Sequence, residues 1–253
     1  KKIKSFDDYL NFLKKSDVIL DFESRKKKIL DEIKKIEKKE KVYVNSDIDL
    51  INHVSNLTEH PRVLMGSFDK SFLKIPKEVI NSIMKNHQKY FSVYSTSKMS
   101  SLVSKFIFVA GSPYLDNNKV VKGNEKVLAA RLNDGKFFYE EDIKSGLEKI
   151  RDKIDHITFI EGIGSYGDKA RRVGKLALKI RDMLGLNIDV DDIIKTSELC
   201  KADLASQMVF EFPELQGIMG GYYYLNTSKD IANSITSHYL PKTRDDSLPK
   251  DNL

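Results

Sequence analysis

The sequence is poor in the residues that form covalent cross-links and membrane spans. Cys200 is the one cysteine among 253 residues, so these residues contain no internal disulfide and no cysteine-based zinc site. Its place in a helical pattern predicts a buried structural thiol rather than a nucleophile. No apolar run approaches the roughly 18 residues of a membrane span, and no signal-peptide pattern is visible. We therefore expect a cytoplasmic protein without a membrane segment.

Common catalytic signatures are also missing. The sequence contains no P-loop, no nucleophile elbow and no Ser-His-Asp spacing. It contains no His-Asp dipeptide, and no histidine lies between Gly164 and Gly220. We therefore predict no catalytic residue and no metal site in this chain.

The composition is that of a folded protein with an uneven charge. Hydrophobic residues make up 40% and charged residues 32%, which is typical of a globular chain. The net charge is +6, yet residues 1–41 hold 14 Lys and Arg against nine Asp and Glu. The rest of the chain is nearly neutral, so any contact with a nucleic acid there depends on local patches.

Periodicity predicts helices and strands in the first half and helices in the second. Strands are expected at 42–44, 62–68, 90–94 and 103–110, with helices after Ser5, Asp21, Asp47 and Pro76 and a long helix from about Asn118. From Tyr166 onward the pattern is helical, with helices to Leu184, from Asp191 to about Phe210 and from Ser228 to Tyr239. These elements predict an α+β fold.

The stretch from Lys119 to Glu141 combines an apolar stripe with a row of cations. The apolar residues recur at helical spacing, which predicts one buried face. Candidates for contact with phosphate on this helix are Lys119, Lys122, Asn124, Lys126, Arg131 and Lys136. A solvated helix face is the plainer interpretation of the same charges.

A second polar cluster lies in the segment M-K-N-H-Q-K-Y-F. Lys85, His87, Gln88 and Lys89 precede two aromatic residues, a combination that suits phosphate binding or stacking on a base. The alternative is a helix C-terminus whose cations complement the helix dipole.

Four sequence blocks resemble a known family. They are G-N-E-K-V-L-A-A-R-L-N-D-G-K-F-F-Y-E-E-D from Gly123, V-L-M-G-S-F-D-K-S-F from Val63, K-A-D-L-A-S-Q-M-V-F from Lys201 and H-Y-L-P from His238. Their order and content closely resemble the β subunit of bacterial heterotetrameric glycyl-tRNA synthetase. The β chain of that family is much longer, so the resemblance implies an internal fragment.

The resemblance also implies a domain organisation. Residues 1–60 are expected as N-terminal helices packing on the first module, and residues 61–155 as a mixed α/β module of the B3/B4 type. Residues 156–242 are expected as an all-helical HD-like domain, and residues 243–253 as a truncated polar tail with little order.

The function that the resemblance implies is support of glycine attachment to its tRNA. The β chain binds and positions tRNA(Gly), while the α subunit of an α₂β₂ enzyme carries out the ATP- and Mg-dependent ligase reaction. No cofactor is expected in this fragment, which alone is expected to be inactive. Two rival functions stay open: a helical module that contacts the partner subunit without RNA, and an HD-type metal phosphohydrolase.

The HD-like segment departs from the pattern of metal-dependent hydrolases. Those enzymes hold metal with separated histidines, a His-Asp dipeptide and a distant aspartate. Where the dipeptide is expected, this chain reads Lys201-Ala202-Asp203. The lysine removes a ligand and adds a charge that repels a metal. We therefore expect a degenerate, metal-free position used for contacts with RNA or a subunit.

Residues 162–167 read G-I-G-S-Y-G and match the dinucleotide-binding fingerprint G-x-G-x-x-G. A true site needs a βαβ unit, and no parallel strand is expected after this helix. We interpret the motif as a helix start, with Ser165 as the cap and Asp168 three residues later.

A polar-aromatic turn is expected between residues 211 and 224. It includes the carboxylates of Glu211 and Glu214, which we place in one helix start, and Tyr222 to Tyr224 after Gly220 and Gly221. A structural use of the two carboxylates is favoured over acid-base chemistry.

Overall fold

The computed structural model describes residues 2–114 and 116–249. The chain divides into two compact units, Lys1–Asp134 and Gly135–Leu253, and the division falls inside one long helix. Helices and a small antiparallel sheet confirm the α+β class. The domain boundaries expected after residues 60, 155 and 242 stay predictions. Each unit is described by itself.

Unit 1 combines helices with an antiparallel sheet. Its helices are α1 (Phe6–Lys15), α2 (Phe22–Glu40), α3 (Ile48–Leu57), α4 (Lys77–Ser82) and α5 (Asn117–Ser145), the last of which continues into unit 2. Its strands are β1 (Tyr43–Val44), β2 (Arg62–Ser67), β3 (Phe91–Tyr94) and β4 (Leu102–Ala110). A 3-10 helix covers Lys70–Lys74, and a π-helix covers Ile83–Gln88 directly after α4.

Helices α1, α2 and α3 begin directly after Ser5, Asp21 and Asp47, as the sequence predicts. The side chains of Ser5, Asp21 and Asp47 accept hydrogen bonds from backbone N–H groups in the first turns of α1, α2 and α3. These caps satisfy donors that have no partner inside a helix.

The sheet has the strand order β1-β3-β4-β2, and every neighbouring pair is antiparallel. Side chains alternate between the two faces of a strand, so one set of residues faces α2 and α3. Their common core contains Ile29, Ile33, Val44, Leu50, Ile51, Val54, Val63, Phe91, Val93 and Ile107. Burial of these apolar side chains is the main stabilising contribution on this face.

Helix α2 also bonds both edge strands of the sheet. The backbone N–H of Val63 in β2 donates to Glu32 Oε2 (2.7 Å). The backbone N–H of Val44 in β1 donates to Glu37 Oε1 (2.8 Å). Because edge strands have backbone groups without a strand partner, these carboxylates satisfy donors that the sheet leaves open.

The opposite face of the sheet carries aromatic rings and the first half of α5. The ring centroids of Tyr90 and Phe106 lie 4.9 Å apart, and the ring of Phe108 follows at 5.8 Å from Phe106. Glu125 of α5 accepts hydrogen bonds from the backbone N–H (2.8 Å) and the hydroxyl (2.9 Å) of Ser67 in β2. The apolar stripe expected on α5 is confirmed at Leu128 and Leu132, which are fully buried, whereas Val127 and Phe137 are exposed.

Unit 2 is mostly helical. Its helices are α6 (Leu147–Arg151), α7 (Tyr166–Leu184), α8 (Val190–Leu199), α9 (Gln207–Glu211), α10 (Ile218–Tyr224) and α11 (Lys229–Ser237). Strands β5 (Thr158–Ile160) and β6 (Gly164–Ser165) form a hairpin. Short 3-10 helices cover Asp152–His156, Ala202–Ala205 and Pro213–Leu215.

The glycine-rich motif at 162–167 is the helix start that the sequence predicts. Strands β5 and β6 are antiparallel, and Ser165 and Asp168 form a reciprocal capping box at the N-terminus of α7. A Cβ at Gly164 would lie 2.5 Å from Asp168 Oδ2, and one at Gly167 would lie 1.8 Å from Asp155 Oδ1. These two glycines are therefore required by the close approach of two carboxylates.

The helix expected from Asp191 to about Phe210 is wrong. Helix α8 ends at Leu199, and a 3-10 helix separates it from α9. The interruption brings Asp203 to the interior, where its Oδ2 accepts hydrogen bonds from the backbone N–H groups of Gly217 (2.5 Å) and Gly220 (3.0 Å). These long-range bonds outweigh the local preference for a continuous helix.

The polar-aromatic turn expected between residues 211 and 224 is wrong in its second part, because residues 220–224 belong to α10. A Cβ at Gly220 would lie 2.8 Å from Ile235 Cγ2, and one at Gly221 would lie 1.9 Å from Thr236 Oγ1. The glycines thus allow α10 to pack closely on α11 rather than forming a turn. Glu211 and Glu214 do not share a helix start, since Glu211 ends α9 and Glu214 lies in the following 3-10 helix.

Asp142, near the C-terminal end of α5, is a buried carboxylate with three hydrogen-bond donors. Its oxygens accept from the backbone N–H groups of Gln207 (3.0 Å) and Met208 (2.9 Å) and from the hydroxyl of Tyr223 (2.9 Å). Helix α5 is thereby joined to the start of α9 and to α10.

The polar tail expected at 243–253 lies partly outside the described residues, which end at 249. None of the described helices has the length and apolar character that crossing a membrane requires.

We predict opposite effects of alanine at two glycines of unit 1. In Gly66→Ala the new Cβ would lie 2.6 Å from Cζ of the buried Phe106, so we expect destabilisation of about 1–3 kcal/mol. In Gly123→Ala, inside α5, the Cβ meets nothing within 4 Å, so we expect stabilisation of roughly 0.5–1 kcal/mol. Urea unfolding measures both. Equal effects of the two changes would contradict the packing described for Phe106.

Candidate nucleic-acid interface

The turn after the π-helix is held against α5. Lys89 adopts the left-handed conformation (φ 59°) that ends this helix, and the backbone N–H of Tyr90 donates to Met84 O (2.8 Å). The hydroxyl of Tyr90 donates to Asn124 Oδ1 (2.5 Å). Burial raises the pKa of Tyr90 to about 12, so the hydroxyl keeps its proton at neutral pH.

Asn124 is fixed at both ends of its amide. Its Nδ2 donates to Val120 O (2.8 Å) one turn earlier on α5. A second contact joins the same two segments, because Arg131 Nη2 lies 3.4 Å from His87 Nδ1. The structure therefore brings together the two polar clusters that the sequence analysis singled out separately.

Three lysines give this part of α5 a positively charged face. Lys119, Lys122 and Lys126 follow one another at spacings of three and four residues, which places them on one side of the helix. All three are exposed. Within residues 2–114 and 116–249, no carboxylate oxygen lies within 4 Å of their ammonium groups. These ammonium groups are therefore available to phosphates over about 10 Å of helix.

The other candidate cations have partners inside the protein. Lys85 Nζ donates to Asp47 Oδ2 (2.6 Å), and Asp47 is the cap of α3. Lys89 Nζ donates to Asn86 O (2.7 Å). Lys136 lies in unit 2 and pairs with Glu140 (3.8 Å). Contacts inside the protein therefore occupy some of the cations that the sequence analysis counted as candidates for phosphate binding.

The remaining candidates are partly enclosed. Arg131 is half-buried and lies 3.6 Å from Asp134 Oδ2 in addition to its contact with His87. Gln88 is half-buried at the last position of the π-helix. The side chains of Arg131 and Gln88 are therefore less exposed than those of Lys122 and Lys126.

In unit 2, Lys201, which the sequence analysis expects at a degenerate HD-like position, is a buried lysine. Lys201 Nζ lies 2.7 Å from His238 Nε2 and 3.5 Å from the ring centroid of Tyr239. His238 Nδ1 lies 2.5 Å from Ile235 O, so Nδ1 carries the proton and Nε2 accepts from the ammonium. Sequence analysis missed this contact, although H-Y-L-P was one of the four blocks that it recognised.

Burial sets the ionisation of this cluster. It lowers the pKa of Lys201 to about 8, so the ammonium persists at neutral pH. Burial, followed by the charges of Lys201, Lys169 and Lys242, lowers the pKa of His238 to about 4 against the opposing bond to Ile235 O. Burial also raises the pKa of Asp203 to about 6, against its two backbone hydrogen bonds.

Cys200 is buried, as the sequence predicts, and burial raises the pKa of its thiol to about 11. A thiol of this kind is a poor nucleophile. Among the residues that the structure describes, no group of three or more His, Cys, Asp or Glu side chains is arranged to hold a metal ion.

The chain is similar throughout to one protein family. A family model described as "Glycyl-tRNA synthetase beta subunit" matches residues 1–253. Proteins named glycine--tRNA ligase beta subunit are 39% identical in Listeria monocytogenes (serotype 4a, strain HCC23) and 42% identical in Streptococcus suis (strain 05ZYH33), over 99% and 100% of this chain. The protein of that name from Helicobacter pylori (strain Shi470) is 40% identical over 95% of this chain.

These matches indicate a component of an aminoacyl-tRNA synthetase. The chain belongs to the glycyl-tRNA synthetase beta-subunit family. It spans 37% of the length of the Listeria and Streptococcus relatives and 36% of the Helicobacter one.

The half-buried imidazole of His238 predicts acid-sensitive stability. Its pKa is about 4 in the folded protein and near 6.5 in an unfolded chain, so the unfolded state takes up a proton first as pH falls. Stability contributed by this group is complete above pH 6.5 and decreases down to about pH 4. We expect unfolding free energies about 2 kcal/mol lower at pH 5 than at pH 7.5 from this residue.

Urea unfolding of the wild type and of His238→Gln at both pH values measures this contribution. The variant should lose most of the difference. The exposed His156→Gln serves as the control and should keep it. A pH dependence that His238→Gln leaves intact would show that other groups cause it.

Proposed function

We propose that this chain is the tRNA-binding and tRNA-positioning part of the β subunit of a heterotetrameric glycyl-tRNA synthetase. In this proposal the α subunit of an α₂β₂ assembly attaches glycine to tRNA(Gly) with ATP and Mg. The present residues contribute RNA and subunit contacts and no catalytic group. Residues 61–155 then form the B3/B4-like module, and residues 156–242 form the HD-like domain.

The observation that carries the proposal is the convergence of two polar clusters on one surface of unit 1. The bonds from Tyr90 to Asn124 and from His87 to Arg131 hold the 85–90 turn beside the lysine face of α5. Lys122 and Lys126 have no acidic partner among the described residues, whereas Lys85 does. A cationic face without internal neutralisation supports a phosphate-bearing partner.

The chemistry of this face favours positioning over sequence reading. Lysine ammonium groups contact phosphates as point charges, which gives affinity without base discrimination. The buried Tyr90 ring stacks inside the protein, so it is not offered to a base. We therefore expect the selection of tRNA(Gly) to depend on residues outside this surface.

The tRNA proposal predicts a loss of affinity when two lysines of α5 are removed. Lys122→Ala with Lys126→Ala should weaken binding of tRNA(Gly) to the full-length β subunit by about tenfold at moderate salt. Removal of two phosphate contacts should also reduce the slope of log affinity against log salt by roughly 1.5–2. Filter binding or fluorescence anisotropy over a salt series measures both quantities.

A matched control distinguishes a specific tRNA-binding site from nonspecific electrostatic attraction. Lys34 and Lys38 are exposed lysines of α2 that also have no carboxylate within 4 Å in the described part of the chain. Lys34→Ala with Lys38→Ala removes the same charge and should change the affinity much less. Equal losses in the two double variants would indicate diffuse attraction. Unchanged binding in both would favour a module that contacts only the partner subunit.

A further inference from the structure

Helix α7 exposes an apolar stripe along most of its length. We name Val173, Leu176, Ile180 and Met183 the α7 stripe. Their spacing of three, four and three residues places them on one side of the helix. Leu176 is 59% exposed and Met183 is 84% exposed. Such a row on a helix normally faces a protein interior, so its exposure points to an interface.

The neighbouring helix α8 also exposes apolar side chains, those of Val190 and Ile194. A cavity of about 250 Å³ is lined by residues of α7, α8, α11 and the segment after α11, and Val173 belongs to both its wall and the stripe. The cavity wall also includes Thr196, whose buried hydroxyl has no hydrogen-bond partner among the described residues. A pocket beside an apolar stripe is the usual place for an anchoring side chain of a partner.

Basic residues line one edge of the α7 stripe. Arg172 and Lys179 each precede a stripe residue by one position, so both lie about 100° from the stripe on the same side. Lys175 adds a further exposed cation. Within residues 2–114 and 116–249, no carboxylate oxygen lies within 4 Å of these three side-chain charges. The acids of α7 are already used, since Asp168 pairs with Arg171 and Asp182 pairs with Arg181.

These features distinguish a protein partner from RNA. RNA is bound through phosphate charges and through stacking on aromatic rings or guanidinium planes. The α7 stripe offers four aliphatic or thioether side chains and no ring, and these match the apolar side of another helix. The basic edge then requires acidic residues along one border of that helix.

We propose that the α7 stripe is the docking surface for an acidic-edged amphipathic helix of the α subunit. This inference rests on the proposed function, because it needs the unlike subunit that a β subunit assembles with. Stripe side chains are buried by the partner helix, a partner residue enters the cavity beside Val173, and Arg172 and Lys179 pair with its acids.

The test measures binding of the purified α subunit to the full-length β subunit. Leu176→Asp with Ile180→Asp places two charges in the stripe and should weaken binding by about a hundredfold. Both side chains are exposed, and unfolding curves check that the variant keeps its stability. Phe210→Asp is the control, since Phe210 is 85% exposed on α9 of the same unit. This substitution should leave binding unchanged.

Arg172→Glu with Lys179→Glu should weaken binding and reduce its salt dependence.

Hydrogen exchange of residues 173–184 identifies what covers the stripe. We expect the amide hydrogens of this segment to exchange more slowly when α is added to β. Addition of tRNA(Gly) should leave their exchange rates unchanged. Oxidation of Met183 in β alone reports whether the stripe is accessible to solvent. Strong protection of Met183 from oxidation would mean that another part of the same subunit covers the stripe, and the proposal would be wrong. Unchanged α binding by the stripe variants would also overturn it while leaving the tRNA proposal intact. Failure of wild-type β to bind α at all would overturn both this inference and the proposed subunit role.

Discussion

The carboxylate of Asp142 is the interaction on which the arrangement of unit 2 depends. It is almost completely buried, yet three donors from α9 and α10 surround it. Hydrogen bonds to an ionised acceptor contribute roughly 1.5–3 kcal/mol each, and a buried charge without them is strongly unfavourable. The two N–H groups belong to the first turn of α9, where the helix dipole also favours an anion. Tyr223 completes the set, and burial and the adjacent charge of Asp142 raise the pKa of its hydroxyl.

Local rules predicted helix ends well, because a cap needs only its own neighbours. Ser165, Asp168 and Gly185 bound α7 where the sequence placed them. Asp142 could not be found this way, since in the sequence it follows Glu140 and Glu141 as one more acid. Its three partners lie 65 to 81 residues away. Similarly, Gly220 and Gly221 suggested a turn, whereas their role is to let α10 approach Ile235 and Thr236 of α11. Close packing between distant helices has no local signal.

The same limit explains what the sequence predicted of the candidate interface. Lysine spacing located the exposed face of α5, because helical periodicity is a local property. It did not show that Lys85 is neutralised by Asp47, which lies 38 residues earlier. It also did not show that Tyr90 and Asn124 join the two clusters across 34 residues. Counting cations therefore overestimated the number of charges available to a phosphate.

The Lys201 cluster, formed by Lys201, His238 and Tyr239, is a structural contact. The ammonium of Lys201 occupies the Nε2 lone pair of His238, so this lone pair is not open to another partner. With its pKa near 8, Lys201 stays positively charged at neutral pH, and its charge would repel a divalent ion. Asp203, the other residue of the position that the sequence analysis expects to be degenerate, directs one oxygen to backbone donors of Gly217 and Gly220. Lys201 thus joins the start of the 3-10 helix at Ala202 to the end of α11 through its contacts with His238 and Tyr239.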